Sequence, residues 1–507
     1  MSPQGGVNRG LVVASTMLAT MLYAIDTTIA NVALPHIQGS LQASPDQVLW
    51  VLTSYIVTSA IATPIVGFLA LRIGERRILL MSVAGFTVAS MLCGIATSLP
   101  ELVFFRAVQG ACGAALIPIS QSCLLSVYPR ERHGTALAIW GVGVMVGPVI
   151  GPTLGGWLTE ALNWRWVFYI NVPVGALAWI GLTASLPRGA TSQDRRFDLK
   201  GFVMLAFAIG LAQLALDRAN SQGWLDSTEI VTEMLLAGIL FYMFLVHTLT
   251  TAHPFFERAL FRDRNLVAGL VTPFVVFPLI MVPGALLPVF MQQLQDHTAA
   301  TAGLVMAPRG LGMAIAMLSG GRLISHMDSR LLAAIGLGIV LATCATLVHI
   351  TTDTSAASIG TITFFQGVGM GLTFLCINAA AYATLPAELR TEGAVLVTLG
   401  RTLSGAIGIS IAGSLLTHSA AANQSRLVEY FSPFDAQRWA AAAQVVGDRA
   451  TALLTLQVQQ QATVIGYENV FAVISALALL ALPMLLLFKL PKRAKTSSDA
   501  ASAEALH

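Results

Sequence analysis

Charged residues in this chain are separated by long stretches that contain none. Residues 78–100, between Arg77 and Glu101, hold no Asp, Glu, Lys or Arg; nor do residues 331–352, between Arg330 and Asp353, or 469–488, between Glu468 and Lys489. An α-helix rises ~1.5 Å per residue, so ~20 apolar residues cross the ~30 Å hydrocarbon core of a bilayer. Within that core no water meets the backbone, and a single segment can satisfy its own N–H and C=O groups only as a helix. Composition agrees: AVILMFWYC make up 55% of the 507 residues and DEKR only 10%, against ~25% charged residues in soluble domains. The apolar content excludes a disordered chain. A net charge of +3 with scattered basic residues argues against nucleic-acid binding. The chain reads as an all-α, polytopic membrane protein.

The hydropathy pattern predicts fourteen spans, at about 11–34, 49–71, 78–98, 101–125, 135–158, 166–186, 199–217, 229–249, 266–292, 302–323, 331–350, 357–384, 394–416 and 468–489. Lysine and arginine test the count. With the amino terminus inside, 20 of the 28 basic residues fall on the cytoplasmic side, among them Arg72, Arg76, Arg77, Arg258, Arg262, Arg264 and Lys489. Five fall opposite, at Arg165, Arg218, Arg426, Arg438 and Arg449. Such a bias, alternating through every loop, is what the positive-inside rule demands. Both termini are then cytoplasmic, and the first segment is too long for a cleaved signal core. One long connection, residues 417–467, lies on the non-cytoplasmic side; it is polar, and from Asp435 to Gln461 it reads as helical.

Several chemistries find no footing. No G-x-x-x-x-G-K-[ST] phosphate loop occurs, and none of the four lysines, Lys200, Lys489, Lys492 and Lys495, follows a glycine, which argues against ATP-driven work by this chain. There is no H-E-x-x-H and no G-x-S-x-G, and the nine histidines are not clustered. The five cysteines, Cys93, Cys112, Cys123, Cys344 and Cys376, sit in apolar runs without disulfide or zinc spacing and read as packing residues. No cofactor, metal or catalytic residue is expected.

Ionisable residues inside a span are costly, roughly 2.5–3.5 kcal/mol each on insertion scales, and mark function or a buried partner. Asp26 is the carboxylate well inside a span, ~12 Å from the outer end of the first helix, and Arg106 lies ~8–9 Å from the outer end of the fourth. Burial favours the neutral acid, whereas a nearby guanidinium favours the charged one. A carboxylate balanced between them can load and release a proton; the alternative is a permanent ion pair that holds two helices together. Arg309 and Arg401 also lie within spans, with no carboxylate evident at similar depth, and are expected to bond backbone carbonyls or line a wet cavity.

In the fifth span, GVGVMVGPVIGPTLGGW (residues 141–157), Gly143, Gly147, Gly151 and Gly155 recur every fourth residue. A ridge without side chains lets another helix approach closely and slide, and Pro148 and Pro152 remove backbone donors and bend the helix.

These residues resemble the major facilitator superfamily, and within it the fourteen-helix drug:proton antiporters of the EmrB type. The antiporter motif of the fifth helix is matched by Gly143, Gly147, Pro148, Gly151, Pro152, Gly155 and Gly156. The first-helix motif is matched by IDTTIANVALP (residues 25–35), and the fourth-helix motif by FFRAVQGACGA (residues 104–114). WRWVFYINVP (residues 164–173) is similar to the start of the family's sixth helix. One motif departs. The loop between helices 2 and 3 reads GFLALRIGERR (residues 67–77), with Gly67, Arg72, Gly74 and Arg76 as gating positions but Leu71 where the family usually carries an aspartate.

The resemblance implies two six-helix halves, 1–187 and 265–490, flanking an inserted helix pair at 188–264, with a disordered cytoplasmic tail at 491–507. The halves would rock about a central cavity, with Tyr23, Asn31, Gln109 and Asn378 as candidate lining residues. It further implies proton-coupled export of amphipathic compounds across a bacterial inner membrane, working with a periplasmic EmrA-like adaptor and a TolC-like outer-membrane channel. The competing readings are a permease for one metabolite, a non-transporting sensor and a lipid-modifying enzyme; the last would need clustered His, Asp or Ser residues at one interface.

Overall fold

The computed structural model describes residues 9–129, 132–186, 197–324, 327–429 and 448–489, and among these there is no strand. The long helices are α1 (Arg9–Ser40), α2 (Pro45–Ile73), α3 (Glu75–Ile95), α4 (Leu99–Val127, with a turn at Ala114 and Ala115), α5 (His133–Ala161), α6 (Trp166–Ser185), α7 (Leu199–Gln222) and α8 (Thr228–Thr250). They continue with α9 (Arg264–Leu294), α10 (Ala299–Leu323), α11 (Ser329–Leu347), α12 (Ala356–Tyr382), α13 (Arg390–Glu429) and α14 (Asp448–Met484). Among the described residues 13 helices are long and apolar enough to cross a membrane. They fall on thirteen of the expected spans, and the remaining one, 135–158, lies on α5, which has 29 residues.

Helix starts carry the signals that their exposed backbone N–H groups require. Ser44 opens α2 in a reciprocal capping box with Gln47, and Asp198, Ser227, Thr298 and Ser355 cap α7, α8, α10 and α12. Between α2 and α3 the chain turns at Gly74 with φ of 94°, a left-handed conformation that favours glycine. Large apolar side chains such as Met81, Phe104, Trp157 and Leu177 face outward, as a bilayer solvent allows.

Two arrangements position everything else. First, α7 packs on both α2 and α13: Asp217 accepts from the Thr53 hydroxyl, and Ser410 donates to the Leu216 carbonyl at 2.8 Å. Helix α8 is peripheral, with 17% of its core window buried against 50% for α7. Second, the long connection expected at 417–467 is not a separate loop. Helix α13 runs 40 residues and α14 runs 37, or ~60 and ~56 Å at the helical rise, about twice the hydrocarbon thickness. The two stay paired where the expected spans end, with Asn469 donating to Ser419 at 2.6 Å and Gly466 lying against Leu416 and Ala420. Ala- and Gln-rich helix continues once hydropathy drops, and the helical reading from Asp435 to Gln461 is met over 448–461. Residues 430–447 and the tail 491–507 lie outside the described residues, so the expectations made for them stand apart from this description.

The end of the bundle that carries the basic loops is clamped by side chains. Asn265 Nδ2 donates to the Lys489 carbonyl at 2.8 Å and its Oδ1 accepts from the Lys489 N–H at 2.6 Å. Arg264 reaches the Leu487 carbonyl at 2.8 Å, and Arg330 that of Phe488. Asn265 is 1% exposed, so Asn265→Leu strands two backbone groups and should cost about 2 kcal/mol. A lowered thermal-unfolding midpoint of the purified protein checks this; an unchanged midpoint would show the clamp to be idle.

Candidate functional site

Asp26 and Arg106 meet in the interior of the first six helices. Asp26 Oδ2 lies 2.6 Å from Arg106 Nη1, and the two side chains are 0% and 1% exposed. The other carboxylate oxygen, Oδ1, accepts from Gln109 Nε2 at 2.9 Å and from Asn171 Nδ2 at 2.9 Å. Around this carboxylate the network closes on itself. Asn171 also donates to Ser90 Oγ at 2.9 Å, and Ser90 donates to the Phe168 carbonyl at 2.9 Å. Arg106 donates through Nε to the Val51 carbonyl at 3.0 Å and through Nη1 to Gln109 Oε1 at 2.9 Å. The face of Tyr55 lies 4.1 Å from the guanidinium carbon, close enough for a cation–π contact. One carboxylate thus joins α1, α2, α3, α4 and α6.

Helical spacing builds the cluster. Arg106 and Gln109 are three apart on α4 and share a face, while Asn171 opens the longer part of α6 at a level where Ser90 of α3 can reach it. An ion pair this deep persists only when further hydrogen bonds support it; here both carboxylate oxygens accept, and Arg106 donates through Nε and Nη1. The guanidinium keeps partners of its own, the Val51 carbonyl, Gln109 and the Tyr55 ring, which do not depend on the charge of Asp26.

The other residues singled out from sequence fall in different places. Gln109 sits on the carboxylate rather than in a cavity. Tyr23 is half-buried, its hydroxyl 3.2 Å from Ser59 Oγ and its ring 5.7 Å from Tyr55. Asn31 is exposed in the last third of α1. Asn378 is 4% exposed, donates to the Phe374 carbonyl at 2.7 Å and lines a cavity with Arg401. In the loop between α2 and α3, a Cβ on Gly67 would lie 3.5 Å from Glu392, Arg72 sits 6.0 Å from the Phe68 ring, and Arg76 donates to the Thr183 carbonyl at 2.8 Å.

Two residues in the cluster escaped sequence reasoning. Asn171 stood in plain view within WRWVFYINVP as a lone amide in an apolar run; Ser90 gave no signal, because buried serines commonly bond their own helix. A third residue, Glu75, fills the junction that lacks an aspartate at Leu71. Its carboxylate accepts from Ser122 Oγ at 2.6 Å, from Cys123 Sγ at 3.6 Å and from the Thr391 hydroxyl at the start of α13. An acid one turn further along the chain therefore joins the two sets of six helices. Also between these sets, the Ser122 and Thr391 hydroxyls lie 3.0 Å apart, Thr135 donates to the Gly321 carbonyl at 3.3 Å and Tyr382 donates to Gln121 at 3.5 Å. Among the described residues all of them lie at the basic end.

The glycine ridge of α5 has α1 as its partner. A Cβ on Gly147 would collide with the Ala24 backbone and one on Gly151 with the Thr28 hydroxyl, while on Gly155 it would lie 2.9 Å from the Ile29 carbonyl. The ridge therefore seats α1, the helix of Asp26, and is not a sliding seam between the two sets of six. Thr28 donates to the Gly147 carbonyl at 3.0 Å, and Gly143 lies against Met17, 3.4 Å from a built Cβ. Contact with α10 uses another side of α5, where Gly134 meets Ile324, Ala138 meets Gly321 and Gly141 meets Met317. The side chains of Pro148 and Pro152 lie outside the described residues.

Comparison with known proteins now adds a family. The model of the Major Facilitator Superfamily matches residues 16–409. The chain is 34% identical over 495 residues to the fatty acid resistance protein FarB of Neisseria gonorrhoeae, covering 96% of this chain and 98% of that protein. It is 33% identical over 479 residues to the multidrug export protein EmrB of Escherichia coli K12, covering 92% and 93%. In structure it is similar to the human organic anion transporter MFSD10, with a TM-score of 0.60 at 14% identity, covering 94% and 99%; at that identity the likeness concerns the fold alone.

Two glycines separate the seat of α1 from mere helix composition. Gly147→Val forces a branched side chain into the Ala24 backbone and should cost about 2–3 kcal/mol through overpacking. Gly156→Ala, whose Cβ would have only Val32 as a neighbour, at 3.8 Å, should stay within about 0.5 kcal/mol of the parent. Thermal unfolding of the two variants side by side checks the contrast, and equal midpoints would remove the ridge from the argument.

Proposed function

This chain belongs to the major facilitator superfamily, and from that premise we propose that it exports amphipathic organic compounds across a bacterial inner membrane in exchange for protons, by alternating access. It is a multi-pass membrane transporter; we place both termini in the cytoplasm, as the basic loops require. The named activities of its relatives, drug export and fatty acid resistance, come to this chain as part of the proposal. The observation that carries the reading is the wholly buried Asp26, bound by three side chains and paired with an arginine that has other partners.

Protonation changes what Asp26 can do. The carboxylate is acceptor-only, whereas the acid must donate one hydrogen and loses its Coulomb attraction to Arg106. It can then no longer serve Arg106, Gln109 and Asn171 together. Arg106 is not stranded when this happens, because Val51, Gln109 and Tyr55 still hold it. That spare set of partners favours a pair that opens over a permanent structural one.

The structure has its two sets of six helices joined at the basic end, through Glu75, Ser122, Thr391, Thr135 and Tyr382. We read this as the state closed to the cytoplasm, in which substrate leaves and a proton loads. The halves 1–187 and 265–490 would rock about the center, with the inserted pair 188–264 riding on α2 and α13. We assign no enzymatic role.

The protruding parts of α13 and α14 are the proposed docking site for a periplasmic adaptor of the EmrA kind, itself leading to a TolC-like channel. Val428 and Leu456 are 55% and 53% exposed there. Replacing 421–460 by a short linker should abolish drug tolerance of intact cells while uptake into everted vesicles persists. Tolerance that survives the replacement would free this segment of a partner.

Asp26→Asn removes the proton site at constant shape. In everted vesicles under an imposed pH gradient, proton release on adding substrate should vanish, and substrate binding by the purified protein should stay within a few-fold. Proton-linked transport at the parent rate in Asp26→Asn would overturn the coupling. Inward movement with the gradient reversed would favour the permease. Arg106→Ala should cost about 3–5 kcal/mol, the penalty for a buried charge left unpaired, read as a lowered unfolding midpoint.

A further inference from the structure

Two buried arginines lie in the last six helices, and their surroundings differ. Arg309 is engaged by the helix beside it: its Nη2 donates to the Ile280 carbonyl and lies 3.3 Å from Met370 Sδ. Arg401, 7% exposed, borders a cavity between α9, α12 and α13 whose apolar walls include Pro273, Val276, Phe277 and Phe374. Its Nη1 reaches Asn378 Oδ1 at 3.3 Å and its Nη2 reaches Thr398 Oγ1 at 3.2 Å. Both distances lie at the long end of the hydrogen-bond range, and both acceptors are neutral. The Phe374 ring is 5.4 Å away. Among the described residues no carboxylate pairs with Arg401.

The same residue type at Arg106 has its carboxylate supplied by the chain at 2.6 Å. A guanidinium offers five donors in a planar fork that fits a carboxylate bidentately, and Arg401 spends two of them, weakly. A cavity with one such cation and apolar walls selects against organic cations, which the buried charge repels, and suits a molecule with an anionic head and an apolar body.

We propose that Arg401, with Asn378 beside it, is the headgroup subsite for amphipathic organic anions such as carboxylates, with the apolar body lying along Phe277, Val276 and Phe374. The proposal rests on the export reading and names its substrate class. Asn378 positions the guanidinium, and the anion displaces the weak neutral contacts.

The test uses the purified full chain in phosphatidylcholine nanodiscs, which contain no anionic lipid headgroup, and compares dodecanoate with dodecyltrimethylammonium in equilibrium binding. The parent should bind dodecanoate about tenfold or more tightly than the cation. Arg401→Gln should weaken dodecanoate about tenfold and leave the cation no weaker, and Arg401→Lys should restore part of the loss. Asn378→Asp is the second variant, since it places a carboxylate of the chain itself where the ligand's would sit. It should abolish the preference for the anion with Arg401 still present. Unchanged dodecanoate affinity in either Arg401→Gln or Asn378→Asp overturns the subsite, as does a parent without anion preference. A parent that binds dodecanoate only when anionic lipid is added back would show the cavity to be a lipid site and would also overturn it. Because no gradient is imposed, failure here is distinct from failure of proton coupling: cation export with proton exchange would leave the export reading standing without the subsite, and anion binding without proton exchange would do the reverse.

Discussion

One carboxylate holds five helices in register. Asp26 receives Arg106 and Gln109 from α4 and Asn171 from α6; Asn171 binds Ser90 of α3, and Arg106 binds the α2 backbone at Val51. In hydrocarbon, helices gain little from hydrophobic contact with one another, because lipid tails are as apolar as leucine. Polar ties of this kind then decide which helices stay together. Concentrating them on one titratable group makes the packing of five helices depend on a single carboxylate.

That dependence needs α1 to be seated firmly, since a carboxylate that wanders with its helix would lose its partners without any change in protonation. The ridge of α5 does this. Gly147 admits the α1 backbone at Ala24 and Gly151 the Thr28 side chain, on either side of Asp26, and Trp140 adds a hydrogen bond to Thr20 at 3.1 Å. Close backbone approach leaves few alternative positions for α1, so the energy of a changed charge is not dissipated in sliding.

The sequence was most informative where the bilayer imposes its own rule. Span positions follow from hydrocarbon thickness, because that does not depend on which helices touch. Pairing of Asp26 with Arg106 was legible as well, since two buried opposite charges at matching depth have few other solutions. What contact decides was less legible. The glycine ridge announced a close approach but not its partner, because a smooth face suits any neighbour. Glu75 was hidden by the expectation of an acid at Leu71, four residues earlier and one turn away. The continuation of α13 past its span was missed because hydropathy marks where lipid ends and says nothing about where a helix does, whereas the helical reading from Asp435 to Gln461 holds over 448–461 on α14.

Helix α5 connects these parts mechanically. Gly143 and Gly141 are two residues apart and so ~200° apart around the helix; the first belongs to the side that holds α1, the second to the side that meets Met317 of α10. A shift of α1 on protonation of Asp26 therefore cannot leave α5 still without opening a void on the ridge, and α5 cannot move without disturbing its contacts at Ile324, Gly321 and Met317. Those contacts stand beside the Glu75 junction at the same end of the molecule. Coupling between distant sites requires an element with two arrangements that both sites bias, and α5, whose contacts with α1 and α10 are made at glycines, is the element in this structure best placed to be it.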